Sequence, residues 1–274
     1  MQTNGFLLDD EWCKFLTANK FLVGLSFDGS PAVNDENRID YNSCGSSARV
    51  IGAIELLKKH RTNFNVLFVV TDFSALRAAE CYDFLKKIGV EYVQIIPVLA
   101  SLDGKKKEFM PSGENFAIFL KELFKRWYKD FLRGEEVRVT YFENLIYKKA
   151  GNRLNNCSMN GLCSVECVVE SDGNVYPCDF YVADRYLLGN LKEKSFPSMI
   201  FSEKASRFVS ESLIDRESCS LCKYFGFCVG ACRRYRFLSG EALTHEYCKG
   251  FKSFFDEFMP LIEKIADNYK RFNG

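Results

Sequence analysis

Nine of the twelve cysteines fall between Cys157 and Cys248: Cys157, Cys163, Cys167, Cys178, Cys219, Cys222, Cys228, Cys232 and Cys248. From Cys219 onward the spacing is C-x2-C-x5-C-x3-C-x15-C, and upstream Cys178 closes the turn in GNVYPCDFY. Thiolates bunched on short, kinked loops suit tetrahedral iron or zinc. Eight of them furnish two four-cysteine sites and leave one thiol over. Cys219-x2-Cys222 alone would serve a zinc knuckle. The all-sulfur supply and the dense, uneven spacing favour the larger iron–sulfur cubane, so the expectation is two clusters.

Other chemistries are poorly provided for. Two histidines, His60 and His245, are too few for most hydrolytic metal centres. His60 reads as a surface residue at a helix end, and His245 as structural. No Ser-His-Asp arrangement or Walker-type phosphate loop is signalled. The net charge of +1, from 37 basic and 36 acidic residues, provides no footprint for nucleic acid. Lys105-Lys106-Lys107 reads as a solvated loop. No apolar run is long enough to span a bilayer, and MQTNGFLLDDEW lacks the regions of a signal peptide. A cytoplasmic protein is expected, whose thiols stay reduced and serve metal rather than disulfides.

The elements that must carry these cysteines read as α/β. With 274 residues and 47% hydrophobic content the chain can bury one large core plus a smaller metal-stabilised module. Gln2 to Gly5 resembles a strand end, and a helix is expected from Asp9 to Asn19. Phe21–Phe27, Phe64–Thr71 and Tyr92–Pro97 are apolar runs of buried parallel strands. Between them lie the turn Asp28-Gly29-Ser30-Pro31 and helices over Ala48–His60 and Ala75–Ile88. A long helix follows over Ser112–Leu132, capped by Ser112. This alternation implies βα units with a ligand site at the strands' C-terminal ends. Val137–Lys149 reads as a mixed connector. Val168–Tyr176 reads as a hairpin turning at Asp172-Gly173, and Phe251–Phe272 as a closing helix.

Five segments carry a family resemblance: QTNG at Gln2, FLVGLSFDG at Phe21, CSMNGLC at Cys157, VVESDGNVYPCDFY at Val168 and CSLCKYFGFCVGACRR at Cys219. With them the chain resembles the anaerobic sulfatase-maturating enzymes, radical S-adenosylmethionine (SAM) proteins with a SPASM domain. The resemblance implies a partial radical SAM (β/α) barrel lacking its first strands, followed by a SPASM domain and a C-terminal helix. The expected boundaries are 1–135 for the barrel, 136–156 for a connector, 157–248 for SPASM and 249–274 for the helix.

It also implies a division of ligands. Cys157, Cys163, Cys178 and Cys232 would hold one auxiliary [4Fe-4S] cluster, and Cys219, Cys222, Cys228 and Cys248 the other. Cys13, Cys44, Cys81 and Cys167 would be packed thiols. The family oxidises a Cys or Ser of a sulfatase polypeptide to Cα-formylglycine. A third [4Fe-4S] cluster cleaves SAM, and a donor such as ferredoxin or flavodoxin supplies electrons. Asp179 would be the catalytic base, while Ser26, Arg38 and Leu99 would bind SAM.

One departure stands out. The C-x3-C-x2-C loop of radical SAM proteins is absent: Glu170 takes the third position after Cys163 and Cys167, and Tyr235 takes it after Cys228 and Cys232. The expectation is an N-terminally incomplete sequence whose 274 residues do not perform the radical step alone. Two other readings stay open at this level: a SPASM enzyme modifying another peptide, and a non-catalytic iron–sulfur electron carrier or binding protein.

Overall fold

A computed structural model describes residues 1–152, 154, 156–213, 217–239 and 242–273; the side chains of 217, 218, 237–239, 242–245 and 271–273 are outside the description. The chain packs as two compact units. The first comprises Met1–Val98, Lys107–Ile146 and Tyr247–Asn268; the second comprises Leu99–Lys106, Tyr147–Glu246 and Tyr269–Gly274.

The first unit opens with strand β1 (Gln2–Thr3), helix α1 (Asp10–Ala18), β2 (Val23–Ser26), α2 (Pro31–Asn37) and α3 (Ser47–Lys59). It continues with β3 (Phe64–Val70), α4 (Asp72–Ala75), α5 (Ala78–Lys87), β4 (Tyr92–Pro97), α6 (Gly113–Phe131), β5 (Arg138–Val139) and α7 (Thr140–Lys149), whose residues from Tyr147 onward belong to the second unit. The strands lie in the order β1-β2-β3-β4-β5 and every neighbouring pair is parallel. One row of the sheet runs Thr3, Leu25, Val66, Val93, Val139. Its four apolar members are buried, as a parallel sheet covered on both faces requires.

The helices follow from caps and periodicity. Asp9 accepts from Trp12 N to start α1, which turns Cys13 and Leu16 inward. Ser112 accepts from Asn115 N to start α6, whose buried Phe116, Phe119, Leu123 and Trp127 recur at helical spacing. The expected single helix from Ala75 is two. Thr71 and Ser74 cap each other around α4, and Arg77 then leaves the helical path, its guanidinium lying 3.6 Å over the Phe73 ring. The expected connector is also ordered: Arg138 and Val139 add the fifth strand and α7 follows directly. A two-residue strand leaves too little alternation to be read from sequence.

The second unit holds α8 (Cys157–Asn160), β6 (Val168–Val169), β7 (Asn174–Tyr176), β8 (Gly189–Asn190), α9 (Phe196–Ile200), α10 (Glu203–Ser210), α11 (Glu217–Ser220), α12 (Phe225–Cys228), β9 (Arg236–Ser239) and β10 (Ala242–His245). The expected hairpin forms between β6 and β7, with Gly173 at φ +89° where a side chain would be strained. A small core of Val175, Leu188, Met199 and Ala205 backs it. The closing helix, α13 (Cys248–Asn273), begins in the first unit, where Phe254 and Phe258 meet the Phe124 ring at 5.5 and 4.7 Å. Among the described residues no helix is long and apolar enough to cross a membrane.

Candidate functional site

Four cysteines of the second unit converge through local turns. Asn156 caps α8, so Cys157 heads a helical turn, and Gly161 in the left-handed region (φ +71°) ends that turn and redirects the chain to Cys163. Cys178 follows β7 after Pro177, and Cys232 heads the 3-10 turn Arg233–Tyr235. Cys157, Cys163 and Cys232 line one small cavity with Gly161, Ser212 and Arg236.

Burial pushes all four thiols up, Cys232 to about 12, and their mutual proximity adds to it. Cys157 acts on Cys163, both act on Cys232, and Cys232 acts on Cys178. Such thiols stay protonated near neutral pH unless a metal takes the proton's place. The backbone N of Arg234 donates to Cys232 Sγ at 3.4 Å, and the buried Arg234 Nε has no hydrogen-bond partner among the described residues. Positive charge and an unused N–H at a four-sulfur site fit an anionic cluster.

Among the described residues, no three Cys, His, Asp or Glu side chains stand at the spacing of a single-ion site. Cys157, Cys163 and Cys232 line a cavity rather than meet at a point. One zinc ion needs four sulfurs within about 2.3 Å of itself, whereas a cubane takes one cysteine at each of its irons.

The second expected ligand set is carried on tight turns. Cys219 lies in α11, its carbonyl accepts from Cys222 N at 3.0 Å, and Cys228 ends α12. Gly230, at φ +83°, leaves open space close to Cys219 Sγ. Burial pulls the Lys148 ammonium down, and the nearby Cys228 sulfur opposes that. Cys248 opens α13 in the first compact unit. The His245 side chain lies outside the described residues.

Asp179 follows Cys178 directly and begins the 3-10 turn Asp179–Tyr181. Its carboxylate is exposed and accepts from Cys178 Sγ at 3.4 Å. An exposed carboxylate on a cluster-ligand turn has the chemistry of a proton acceptor for an incoming substrate.

In the first unit Ser26 closes β2 at the sheet's C-terminal edge, and Arg38 follows α2. Arg38 Nε and Nη2 donate to the two carboxylate oxygens of Asp28 at 2.6 and 3.0 Å. Three of its five N–H groups remain for a ligand. Leu99 follows β4 and is half-buried. It belongs to the second compact unit.

Two expectations on the remaining thiols need correction. Cys13 and Cys81 are fully buried, but Cys44 is exposed on the loop between α2 and α3. There its N–H is spent on Asp40 Oδ1, and the Ile39–Gly45 bridge turns the loop outward. Cys167 is half-buried at φ +57°, a strained backbone for a non-glycine residue. His60 is not a bare surface residue either, since Nε2 meets Asp10 Oδ1 at 2.6 Å. Asp28 and Arg234 escaped the sequence reading. Nothing in FDGSP distinguishes a buried carboxylate from a turn former, and Arg234 reads as half of a basic pair.

Comparison with known proteins bears on the same residues. The iron–sulfur cluster-binding domain SPASM matches residues 161–223. The cysteine-type anaerobic sulfatase-maturating enzyme of Clostridium perfringens is 38% identical over 98% of this chain and 74% of its own length. The serine-type enzyme of Bacteroides thetaiotaomicron is 32% identical over 96% of this chain and 68% of its own. The solved structure of native anSMEcpe with bound AdoMet and Cp18Cys peptide superposes with a TM-score of 0.90 at 38% identity, covering 98% of this chain and 76% of that one.

Proposed function

The chain belongs to the anaerobic sulfatase-maturating enzymes, and from that premise we propose how its own residues divide the work of making formylglycine. The family is a radical SAM family with SPASM iron–sulfur clusters, and its reaction oxidises a sulfatase Cys or Ser to Cα-formylglycine. When bound, SAM and the clusters supply hydrogen-atom abstraction and an outlet for electrons.

Cys157, Cys163, Cys178 and Cys232 hold one cluster in this reading, and Cys219, Cys222, Cys228 and Cys248 hold the other. Support for the first set is that Cys157, Cys163 and Cys232 line one small cavity and that Cys232 is near enough to Cys178 to act on its thiol. Arg38 receives the SAM carboxylate with the N–H groups that Asp28 leaves unused. Ser26 and Leu99 line the same ligand, each following or ending a strand on the C-terminal side of the sheet, where ligands of α/β folds bind.

Asp179 accepts the proton of the substrate's side chain. The observation that carries this role is the place of Asp179, whose exposed carboxylate directly follows ligand Cys178 and opens the 3-10 turn Asp179–Tyr181. A positioned base is worth about 10²–10⁴ in rate. Asp179→Ala, made in an anaerobically reconstituted full-length enzyme that also carries the C-x3-C-x2-C loop, is expected to leave SAM cleavage intact and to cut formylglycine formation on a sulfatase peptide by at least about 10². Wild-type product yield from the variant would remove Asp179 from the mechanism.

The electron donor is assigned to the ferredoxin or flavodoxin class, and the protein to the cytoplasm. Nine clustered cysteines, eight of them assigned to clusters, call for the reducing conditions found there.

A further inference from the structure

Arginines 233 and 234 both crowd the Cys157, Cys163, Cys178 and Cys232 site, yet their charges are handled differently. Arg233 is compensated in part: it pairs at 3.0 Å with Glu211, a carboxylate that Arg207 also holds at 2.9 Å, and donates to the Phe208 carbonyl at 3.3 Å. Arg234 has no carboxylate within ion-pair distance among the described residues. Its Nη2 donates to the Ala100 carbonyl at 2.6 Å, its guanidinium carbon lies 5.5 Å from the Tyr181 ring centroid, and its Nε is buried without a hydrogen-bond partner. Tyr181 itself is buried among Cys163, Cys232 and both arginines.

Arg234 is half-buried with its Nε out of water, and a partly desolvated cation is costly unless a compensating charge faces it. The groups at hand are sulfurs. Arg234 already donates its backbone N–H to Cys232 Sγ at 3.4 Å, so side chain and backbone of one residue address the same ligand turn. The Ala100 contact joins that turn to the segment after β4 that begins at Leu99.

We propose that Arg234 is a positioning residue that raises the reduction potential of the iron–sulfur centre held by Cys157, Cys163, Cys178 and Cys232, by facing it with uncompensated positive charge and an N–H donor. Charge near a cluster and hydrogen bonds to its sulfurs are two of the levers by which a protein sets its potential. A cation stabilises the state that has gained an electron, so losing it makes reduction harder. Arg233, which faces the shared Glu211 carboxylate, contributes less. This inference rests on the ligand assignment proposed above.

The experiment is a redox titration of the anaerobically reconstituted protein, followed by electron paramagnetic resonance with iron quantified in parallel. Arg234→Gln is expected to keep its iron and to move the midpoint of one auxiliary centre to more negative potential, leaving the other in place. Arg234→Lys, which keeps the charge and loses Nε, is expected to show a smaller shift of the same sign. Unmoved midpoints in an iron-replete Arg234→Gln overturn the proposal. Should Arg234→Gln not retain iron, Arg234→Lys decides: a negative shift supports the role and an unmoved midpoint refutes it. Failure of the ligand assignment looks different, since Cys157→Ala would then keep its full complement of iron.

Discussion

Asp28 grips Arg38 with both carboxylate oxygens, to Nε at 2.6 Å and Nη2 at 3.0 Å, while Oδ1 also accepts from Val69 N at 2.8 Å. One buried carboxylate thus ties the turn after β2 to the residue after α2 and to β3. The side chain of Asp28 is 5% exposed and that of Arg38 27%, so the pair is desolvated on one side only.

Asp28→Asn removes the charge that orients Arg38. The expected loss of stability is about 2 kcal/mol, below the ~3–5 kcal/mol of fully buried pairs because Arg38 reaches solvent. SAM affinity is expected to fall by roughly tenfold as the guanidinium loses its fixed direction, about 1.4 kcal/mol. Calorimetric SAM titration and thermal melting check both parts, and tight SAM binding by Asp28→Asn would detach Asp28 from the ligand.

Gly29 sits at φ +85°, and a Cβ built there would lie 2.5 Å from Cys81 Cβ and 2.7 Å from its Sγ. Gly29→Ala therefore combines left-handed strain with a clash against an immobile core residue. Destabilisation of about 2–4 kcal/mol is expected in a urea titration. Because Gly29 adjoins Asp28, SAM binding should weaken with it.

The thiols should separate by pH. Burial pushes Cys81 up to about 12, so it stays protonated across the usual working range. At pH 8 only roughly one molecule in ten thousand carries the thiolate, the reactive form. Mass spectrometry after iodoacetamide treatment of the native protein is expected to find exposed Cys44 labelled and Cys81 intact. The sign for stability follows: a raised thiol pKa favours the fold at neutral pH, and that contribution is lost as pH climbs from about 9 toward about 12. Labelling of Cys81 at pH 8 in folded protein would contradict its burial.

Cys163→Ala should lower iron by roughly four atoms per chain, since one cluster loses a corner ligand. Its backbone N–H also holds Ser212 Oγ at 3.0 Å, an attachment the substitution leaves in place. Iron that stays at the wild-type level would mean that Cys163 is a packed thiol.

The βα alternation, the three central strands and the hairpin at Asp172-Gly173 were legible in the sequence because each has an uninterrupted local signature. Tyr92–Pro97 is such a case, bounded by the same residues in sequence and structure. β5 was not legible: Arg138 and Val139 form a strand only because β4 offers them an edge. The cysteine spacing announced metal chemistry by itself, since ligand type and density are properties of the chain.

Partnership was beyond it. Asp28 and Arg38 are ten residues apart, Arg234 and Ala100 are 134 apart, and no periodicity links either pair. Which carboxylate is buried, which arginine keeps its charge and which cysteine faces solvent depend on what folding removes from water. Burial is a property of the packed molecule, and the sequence by itself determined the available donors while tertiary structure decided which of them meet.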